Sequence, residues 1–227
     1  MRAYNLNLRL EELSVLQSRL HQSPAHQRWS GWILKQRATR MLALYRDMGK
    51  QSRYSAAVDF LINDLFGPNS LCYRELGLEK AEATMLRVLP AGLLQAVIQA
   101  IEFSLLTLQL DLQLAEVLDR SHVPGALLDD MTLHAAMRKT AAAAGYQWQT
   151  GLVLEIGAEI ELVVHKPFVT MGLKMCRHPA RAMGLGELQD YLERGVAAFK
   201  KMKGSTEFFR MFEQRELEYL ESVFRSV

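Results

Sequence analysis

The sequence predicts an all-α protein, a single compact multi-helix bundle of about eight to ten helices. Two observations predict this class. Five of the six prolines precede stretches with helical apolar spacing, as proline does at the first position of a helix. Only 152–164 alternates apolar and polar residues as a half-buried strand does. We therefore treat 1–227 as one helical domain, in which 1–50 could form a basic N-terminal helical arm.

Prolines, apolar periodicity and turn residues place the helices in chain order. Ser23 can cap the helix that Pro24 begins, because its hydroxyl can accept from a free backbone N–H. Gly67-Pro68 ends another helix. Four further prolines are expected to begin helices: Pro90, Pro124, Pro167 and Pro179. The expected ranges are 7–21, 24–49, 52–66, 77–88, 90–118, 124–145, 147–165, 167–177, 186–202 and 205–226.

Two segments allow more than one interpretation. The alternation over 152–164 fits a strand, but a lone strand has no partner, so we favour a helix. Leu93–Leu110 is hydrophobic enough to suggest a membrane span. Glutamines and Glu102 interrupt it and share one edge, and a carboxylate at mid-span is costly. A soluble core helix with one wetted edge is expected, and no transmembrane span.

Composition limits the class of protein. The chain has 227 residues, of which 49% are hydrophobic and 23% charged, which excludes wholesale disorder. Its two cysteines, Cys72 and Cys176, cannot build a disulfide scaffold. The N-terminus has no unbroken apolar run of the kind that a secretory signal needs. These features predict a cytoplasmic location.

Charge is unevenly distributed. Residues 1–53 hold ten basic and three acidic side chains, whereas residues 54–227 hold seventeen basic and twenty-two acidic side chains. On the 24–49 helix, continued to 53, one face is basic and is predicted to bind a partner: Arg28, Trp32, Lys35, Arg46, Lys50 and Arg53. Alternatively, this face is solvated and neutralised by the acidic remainder. No nucleic-acid-binding signature is present, so nucleic acid is not an expected partner.

A second basic cluster is predicted to bind an anion: Lys174, Arg177, His178 and Arg181. If Pro179 begins a helix, these cations surround free N–H groups that already favour an anion. Cations at a helix start need a negative partner, which a phosphate or carboxylate ligand could supply. An internal salt bridge to an Asp or Glu of another helix is the alternative.

Other polar side chains are weaker candidates for a catalytic or metal-binding role. Asp111 shares an apolar face with Ser104 and Thr107, so a buried Asp111 must be paired, for instance with an arginine of the basic segments, or act as a catalytic carboxylate. Two pairs could each form half of a metal site, although their i,i+4 spacing differs from the Glu-x-x-His of diiron bundles: Asp130 with His134 and Glu161 with His165. No P-loop, GxGxxG or GxSxG occurs, so no catalytic residue, metal or cofactor is assigned.

Residues 56–68 read AAVDFLINDLFGP, with Phe60–Phe66 at their centre. This segment resembles the FFLEELY segment of the bacterial FFLEELY-motif proteins, and Arg87-Val88-Leu89-Pro90 and 166–181 are also similar to that family. The resemblance implies a compact helical domain in a bacterial cytoplasm and, since the family's function is unknown, no activity. From the residues themselves, Phe60, Leu61, Leu65 and Phe66 are expected in the core. Asp59, Asn63 and Asp64 are expected to be exposed or capping groups.

The sequence favours a non-enzymatic helical protein that recognises an anionic or amphipathic ligand. An anionic or acyl small molecule and an acidic protein are the expected partners, and homo-oligomerisation stays open. The alternative is a metal-dependent helical-bundle enzyme with a His/carboxylate site at Asp130, His134, Glu161 and His165, and with Asp111 or Glu102 as its buried carboxylate.

Overall fold

The computed structural model describes residues 6–73, 91–122, 129–140, 142–182 and 184–225, which contain ten α-helices and no β-strand. The helices are α1 (Leu6–Gln22), α2 (Pro24–Leu44), α3 (Arg46–Gly49), α4 (Ser55–Phe60), α5 (Ala91–Arg120), α6 (Asp130–Lys139), α7 (Ala143–Val164), α8 (Pro167–Ala182), α9 (Gly186–Met202) and α10 (Thr206–Phe224). The predicted all-α class is confirmed. The helix expected at 77–88 and the helix starts expected at Pro90 and Pro124 lie outside the described residues.

The long helix α5 packs against α1, α2 and α7 at the centre of the protein. By length and composition it could cross a membrane, and 72% of its apolar window is buried inside the protein. The predicted wetted edge is exposed at Gln109, Gln113 and Glu116. Nearer the N-terminus of α5, however, Gln99 is buried and donates to Glu155 Oε2 of α7 at 3.1 Å. There α7 covers the edge that the sequence places in water.

The start of α2 forms as the sequence predicts. Ser23 adopts extended backbone angles and its hydroxyl accepts from the backbone N–H of His26 at 3.3 Å, while Pro24 occupies the first helical turn. The end differs, because the expected 24–49 helix is interrupted at Tyr45 (φ −110°, ψ 15°) and resumes as the short α3. The Tyr45 side chain is fully buried at this bend. The basic face is therefore not carried by one continuous helix.

The helix expected over 52–66 is shorter in the structure and changes from α-helical to π-helical hydrogen bonding. Helix α4 gives way to a π-helical turn over Leu61–Leu65. Phe60, Leu61, Leu65 and Phe66 are buried, as predicted. Asp64, expected to be exposed or capping, is instead buried and accepts two bonds from the Arg194 guanidinium of α9 at 3.0 and 2.7 Å. The arginine compensates the cost of burying this carboxylate.

The expected helix over 124–145 is wrong, because α6 ends at Lys139 and a new helix, α7, begins at Ala143. Asp129 caps α6: its carboxylate accepts from the backbone N–H of Thr132 at 2.8 Å. Residues 152–164 lie within α7, so the helical alternative is confirmed for that segment.

Helix α8 begins at Pro167 as expected but runs to Ala182, so Pro179 lies inside it and does not begin a helix. Proline lacks the N–H that would bond the carbonyl of Met175. Both residues are exposed, so water can satisfy that carbonyl. The helix ends where Gly184 adopts φ +78° and Leu185 N–H bonds the carbonyl of Ala180 at 2.8 Å, an end that glycine permits.

Candidate interaction surface

The predicted basic face is partly neutralised within the protein. Arg28 pairs with Asp119 of α5 at 2.5 Å. Arg53 donates to the carbonyls of Met202 at 2.6 Å and Gly204 at 3.2 Å, and thus caps the C-terminal end of α9. Two of the cations expected to contact a partner therefore hold elements of the same chain together.

The rest of this face is dispersed. Trp32 is half-buried, and its ring lies edge-on to Trp29 at 6.0 Å between ring centroids. Lys35, Arg46 and Lys50 are exposed and form no ion pair with any residue that the structure describes. Because of the bend at Tyr45, Lys35 belongs to α2, whereas Arg46 begins α3 and Lys50 follows it. The structure does not gather the six residues into one continuous surface.

Asp111 is buried and paired with an arginine of the basic segment, as the sequence predicts for a buried carboxylate at this position. The Arg37 guanidinium donates to one carboxylate oxygen, and the Tyr73 hydroxyl donates to the other at 2.7 Å. Burial alone would lower the pKa of Arg37. The charge of Asp111 and the hydrogen bonds with Asp111 and Tyr73 have a larger, opposite effect, so the pKa of Arg37 is raised. Burial and the nearby Asp111 raise the pKa of Tyr73 well above its usual value.

A second buried pair lies one helical turn further along α2. Arg40 donates to both carboxylate oxygens of Glu216 on α10 at 3.1 and 2.9 Å, and the Tyr45 hydroxyl donates to one of them at 2.9 Å. Burial and the Glu216 carboxylate raise the pKa of Tyr45. This pair has no local sequence signal, because Glu216 lies on a helix whose other acidic residues are exposed, and nothing near it in the sequence marks it as buried.

A cavity of about 50 Å³ lies beside these pairs, between α2, α5, α6, α7 and α10. Arg37, Arg40 and Glu216 line it, together with the polar side chains Tyr146 and Gln149. A volume of this size holds a few water molecules and not an organic ligand. Each arginine already faces a carboxylate, so the cavity has no net charge to attract an anion. We interpret it as part of the packing between α2 and the helices that it contacts.

The two half-sites of the metal alternative lie on different helices. The Glu161 carboxylate lies 3.4 Å from His165 Nε2 at the exposed end of α7. His134 packs its ring edge-on to Tyr219, 5.6 Å between centroids, and burial lowers its pKa. Among the described residues, no group of three or more His, Cys, Asp or Glu side chains could hold a metal ion. Asp111 and Glu102 are each paired with an arginine.

The predicted anion cluster lies on α8, but not at a helix start, so its expected N–H donors are absent there. Arg177 pairs through two bonds with Glu193 of α9, one of them 2.6 Å long. Arg181 lies 3.5 Å from an oxygen of Asp190, also on α9. Lys174 and His178 are exposed. The internal salt bridges that the sequence left as the alternative are thus present for both arginines.

Helix α8 carries a second apolar stripe that faces solvent. Its buried side contains Val169 and Leu173. Phe168, Met171 and Met175 are 51%, 60% and 72% exposed, and they recur at i, i+3 and i+7, so they share one face over about 10 Å of helix. The i, i+3, i+7 spacing of these residues is present in the sequence. Because the helix has apolar residues on two faces, however, the sequence does not predict which face the core covers.

The charge on α8 has one sign. Its sixteen residues include no Asp or Glu, and its charged side chains are Lys174, Arg177 and Arg181. On a helical projection these lie next to the exposed apolar stripe, with His178 between them and Met171. An exposed apolar stripe with a basic border is complementary to a partner that is apolar with an acidic border. We call the stripe together with Lys174, Arg177, His178 and Arg181 the α8 surface.

Comparison with known proteins adds a family but no activity. A family model described as "Domain of unknown function (DUF8198)" matches residues 17–227. No curated protein and no solved structure matches the chain.

Proposed function

The chain belongs to the family described as Domain of unknown function (DUF8198), and from that premise we propose that it is a non-enzymatic helical interaction protein whose α8 surface binds an acidic amphipathic helix of another protein. One observation carries the proposal: α8 exposes Phe168, Met171 and Met175 beside a border that contains no carboxylate of its own. Most large apolar side chains of folded proteins are buried, so a contiguous exposed stripe indicates a surface that a partner covers.

The chemistry of the stripe favours a protein helix as the occupant. Methionine side chains are flexible and polarisable and adapt to a partner's side chains. An amphipathic helix presents apolar residues at i, i+3, i+4 and i+7, which matches the spacing on α8. Acidic residues beside its apolar stripe would lie near Lys174 and His178, the two members of the basic border that lack a carboxylate partner within the described residues.

Two other occupants fit less well. A second copy of this chain would place one basic α8 against another, and like charges oppose that pairing. An anionic membrane would need a wide apolar face that inserts among the lipids. One apolar face of α8 is already buried in the core, which leaves only three large apolar side chains for insertion.

We also propose that residues 60–66 correspond to the motif segment of the FFLEELY-motif proteins and that the protein acts in a bacterial cytoplasm. The burial of Phe60, Leu61, Leu65 and Phe66 supports the first part, because the motif is then a core-packing element. No catalytic role is assigned to it.

The proposal is tested with designed peptides and the full-length protein. The probe is a fluorescein-labelled peptide as long as α8, with leucine at helical i, i+3, i+4, i+7 spacing and glutamate elsewhere. One comparison peptide has the same composition in scrambled order, and another has lysine in place of glutamate. Fluorescence anisotropy should show saturable binding of the acidic amphipathic peptide and much weaker binding of the other two.

Variants locate the binding. Met171→Glu and Met175→Glu should each weaken peptide binding about tenfold or more. The new carboxylate is repelled by the glutamates of the peptide, and the apolar contact of the methionine is lost. Leu42→Glu is the matched control, because Leu42 is 59% exposed on α2, and it should bind as the wild type does. Thermal unfolding checks that all three variants fold. Absence of saturable binding, equal binding of the lysine peptide, or unchanged affinity in the α8 variants contradicts the proposal. Preferential binding to phosphatidylglycerol vesicles also contradicts it and favours a membrane.

A further inference from the structure

A groove lies on another part of the molecule, between α1, α5 and the start of α7. Its volume is about 370 Å³, within the range of small-molecule sites in proteins. Half of its lining residues are apolar: Val15 and Leu16 come from α1, Leu105 and Leu106 from α5, and Trp148 from α7. The groove is thus large enough for a small organic molecule, in contrast to the cavity beside Arg37.

The exposed tryptophan is the least expected part of this groove. Trp148 is 59% exposed, and no other described ring lies against it. The other two tryptophans are packed against each other, with Trp29 buried and Trp32 half-buried. Val15, which lines the groove from α1, is 60% exposed. An aromatic and an aliphatic side chain that are both largely exposed on one groove leave apolar area that a ligand can cover.

The two ends of the groove differ in charge. At one end Arg9 contacts Glu12 at 2.8 Å and Glu102 at 3.2 Å, so its charge is compensated. Arg19 lies on the same groove, ten residues later on α1 and hence about 15 Å away. It is exposed and pairs with no carboxylate in the part of the chain that the structure describes. The Gln109 side chain, which can donate a hydrogen bond, also lines the groove.

We propose that this groove binds an amphipathic anion, a small molecule with an apolar body and a single anionic group, either a carboxylate or a phosphate. The anionic group contacts Arg19, and the apolar body lies between Val15 and Trp148 over the leucines of α5. Glu12 and Glu102, at the Arg9 end, would repel a second anionic group, so the ligand carries only one such group. This site is independent of the α8 surface, so either proposal can fail without the other.

Three probes of equal chain length distinguish the chemistry: decanoate, decyl phosphate and decyltrimethylammonium. Each is titrated into the full-length protein below its micelle concentration, and tryptophan emission is recorded. Decanoate or decyl phosphate should shift the emission to shorter wavelength in a saturable manner, because the ligand removes Trp148 from water. Whichever of decanoate and decyl phosphate binds more tightly identifies the preferred anionic group. The cationic probe, decyltrimethylammonium, should bind much more weakly than either.

Variants again locate the site. Arg19→Gln should weaken binding of the anionic probe about tenfold to a hundredfold, the effect of losing a charge-assisted hydrogen bond. Val15→Glu should weaken it at least as much, since it puts a carboxylate on the groove wall. Arg120→Gln is the matched control, because Arg120 is an exposed arginine of α5 with 74% side-chain exposure, and it should have no effect. Trp148→Phe should remove most of the spectral shift, while calorimetry still detects binding.

Three results overturn the proposal. The first is equal affinity for decyltrimethylammonium and decanoate, which indicates unspecific adsorption of the chain. The second is unchanged affinity in Arg19→Gln. The third is absence of saturation with either anionic probe. Met175→Glu should leave decanoate binding intact, and loss of binding in that variant places the probe on the α8 surface instead.

Discussion

Helices α2 and α8 both carry basic residues that contact carboxylates of other helices, yet their surroundings differ. The side chains of Arg37 and Asp111 are 14% and 4% exposed, and a tyrosine hydroxyl completes their hydrogen bonds. Arg177 on α8 is 46% exposed, and its partner Glu193 on α9 is 20% exposed. The same type of ion pair is thus enclosed by the core in one region and open to water in the other.

The difference separates a structural from a surface role. A buried pair is held in place by the cost of leaving either charge alone in the interior. An exposed pair gains little free energy, because water and salt screen it, and its side chains can exchange partners at low cost. The cations of α2 that meet buried carboxylates therefore fix how the N-terminal helices dock. Those of α8 remain able to interact with an acidic ligand.

The largest expected effect is at Arg37. Arg37→Met leaves Asp111 buried without its cation and should lower the free energy of unfolding by about 3–5 kcal/mol, as measured by urea denaturation followed by circular dichroism. The double variant Arg37→Met with Asp111→Leu should recover much of that loss, because it removes both charges. A loss under about 1 kcal/mol in the single variant contradicts the assignment of a buried pair.

A much smaller effect is expected at Arg177. Arg177→Gln breaks an exposed pair, so its urea midpoint should be close to that of the wild type. The same experiment on Arg37→Met provides the comparison under identical conditions. If the two variants lose similar stability, the distinction between the two regions is wrong.

The smallest effect concerns acid pH. Hydrogen bonds from Arg177 and Gln189 hold the pKa of Glu193 below its ordinary value of 4.5. The folded protein then binds that proton more weakly than the unfolded chain, so this contribution to stability is present above pH 4.5 and is lost as pH falls through the lowered pKa. Glu193→Gln should therefore unfold slightly more easily at neutral pH, and its thermal midpoint should approach that of the wild type at low pH. If the difference in thermal midpoint between the wild type and Glu193→Gln stays constant as the pH is lowered, the lowered pKa of Glu193 does not contribute to stability.

Local signals predicted local structure well. Ser23 and Pro24 fix the start of α2, and the bounds of α9 coincide with the expected 186–202. The requirement that a buried Asp111 find a cation also followed from the sequence, because burial of a lone charge is costly wherever it occurs. Glu216 gave no such signal, since its burial depends on where α10 packs.

Signals that depend on surroundings were less reliable. Pro179 was expected to begin a helix, but its solvent-facing position lets α8 continue through it. Asp64 was expected outside the core, but Arg194 approaches it from a helix far along the chain. For the α8 surface, the sequence identified the basic residues, whereas the exposed stripe of Phe168, Met171 and Met175 required knowledge of which face the core covers.

The sequence by itself determined the all-α class, many of the helix limits and the uneven distribution of charge, because capping, proline geometry and apolar periodicity act within a few residues. Only the tertiary structure decided which charges are neutralised, which apolar faces stay exposed and which side chains meet across a groove. Those outcomes depend on how helices distant in sequence pack, since electrostatic and hydrophobic free energies follow the distance and burial of groups in space.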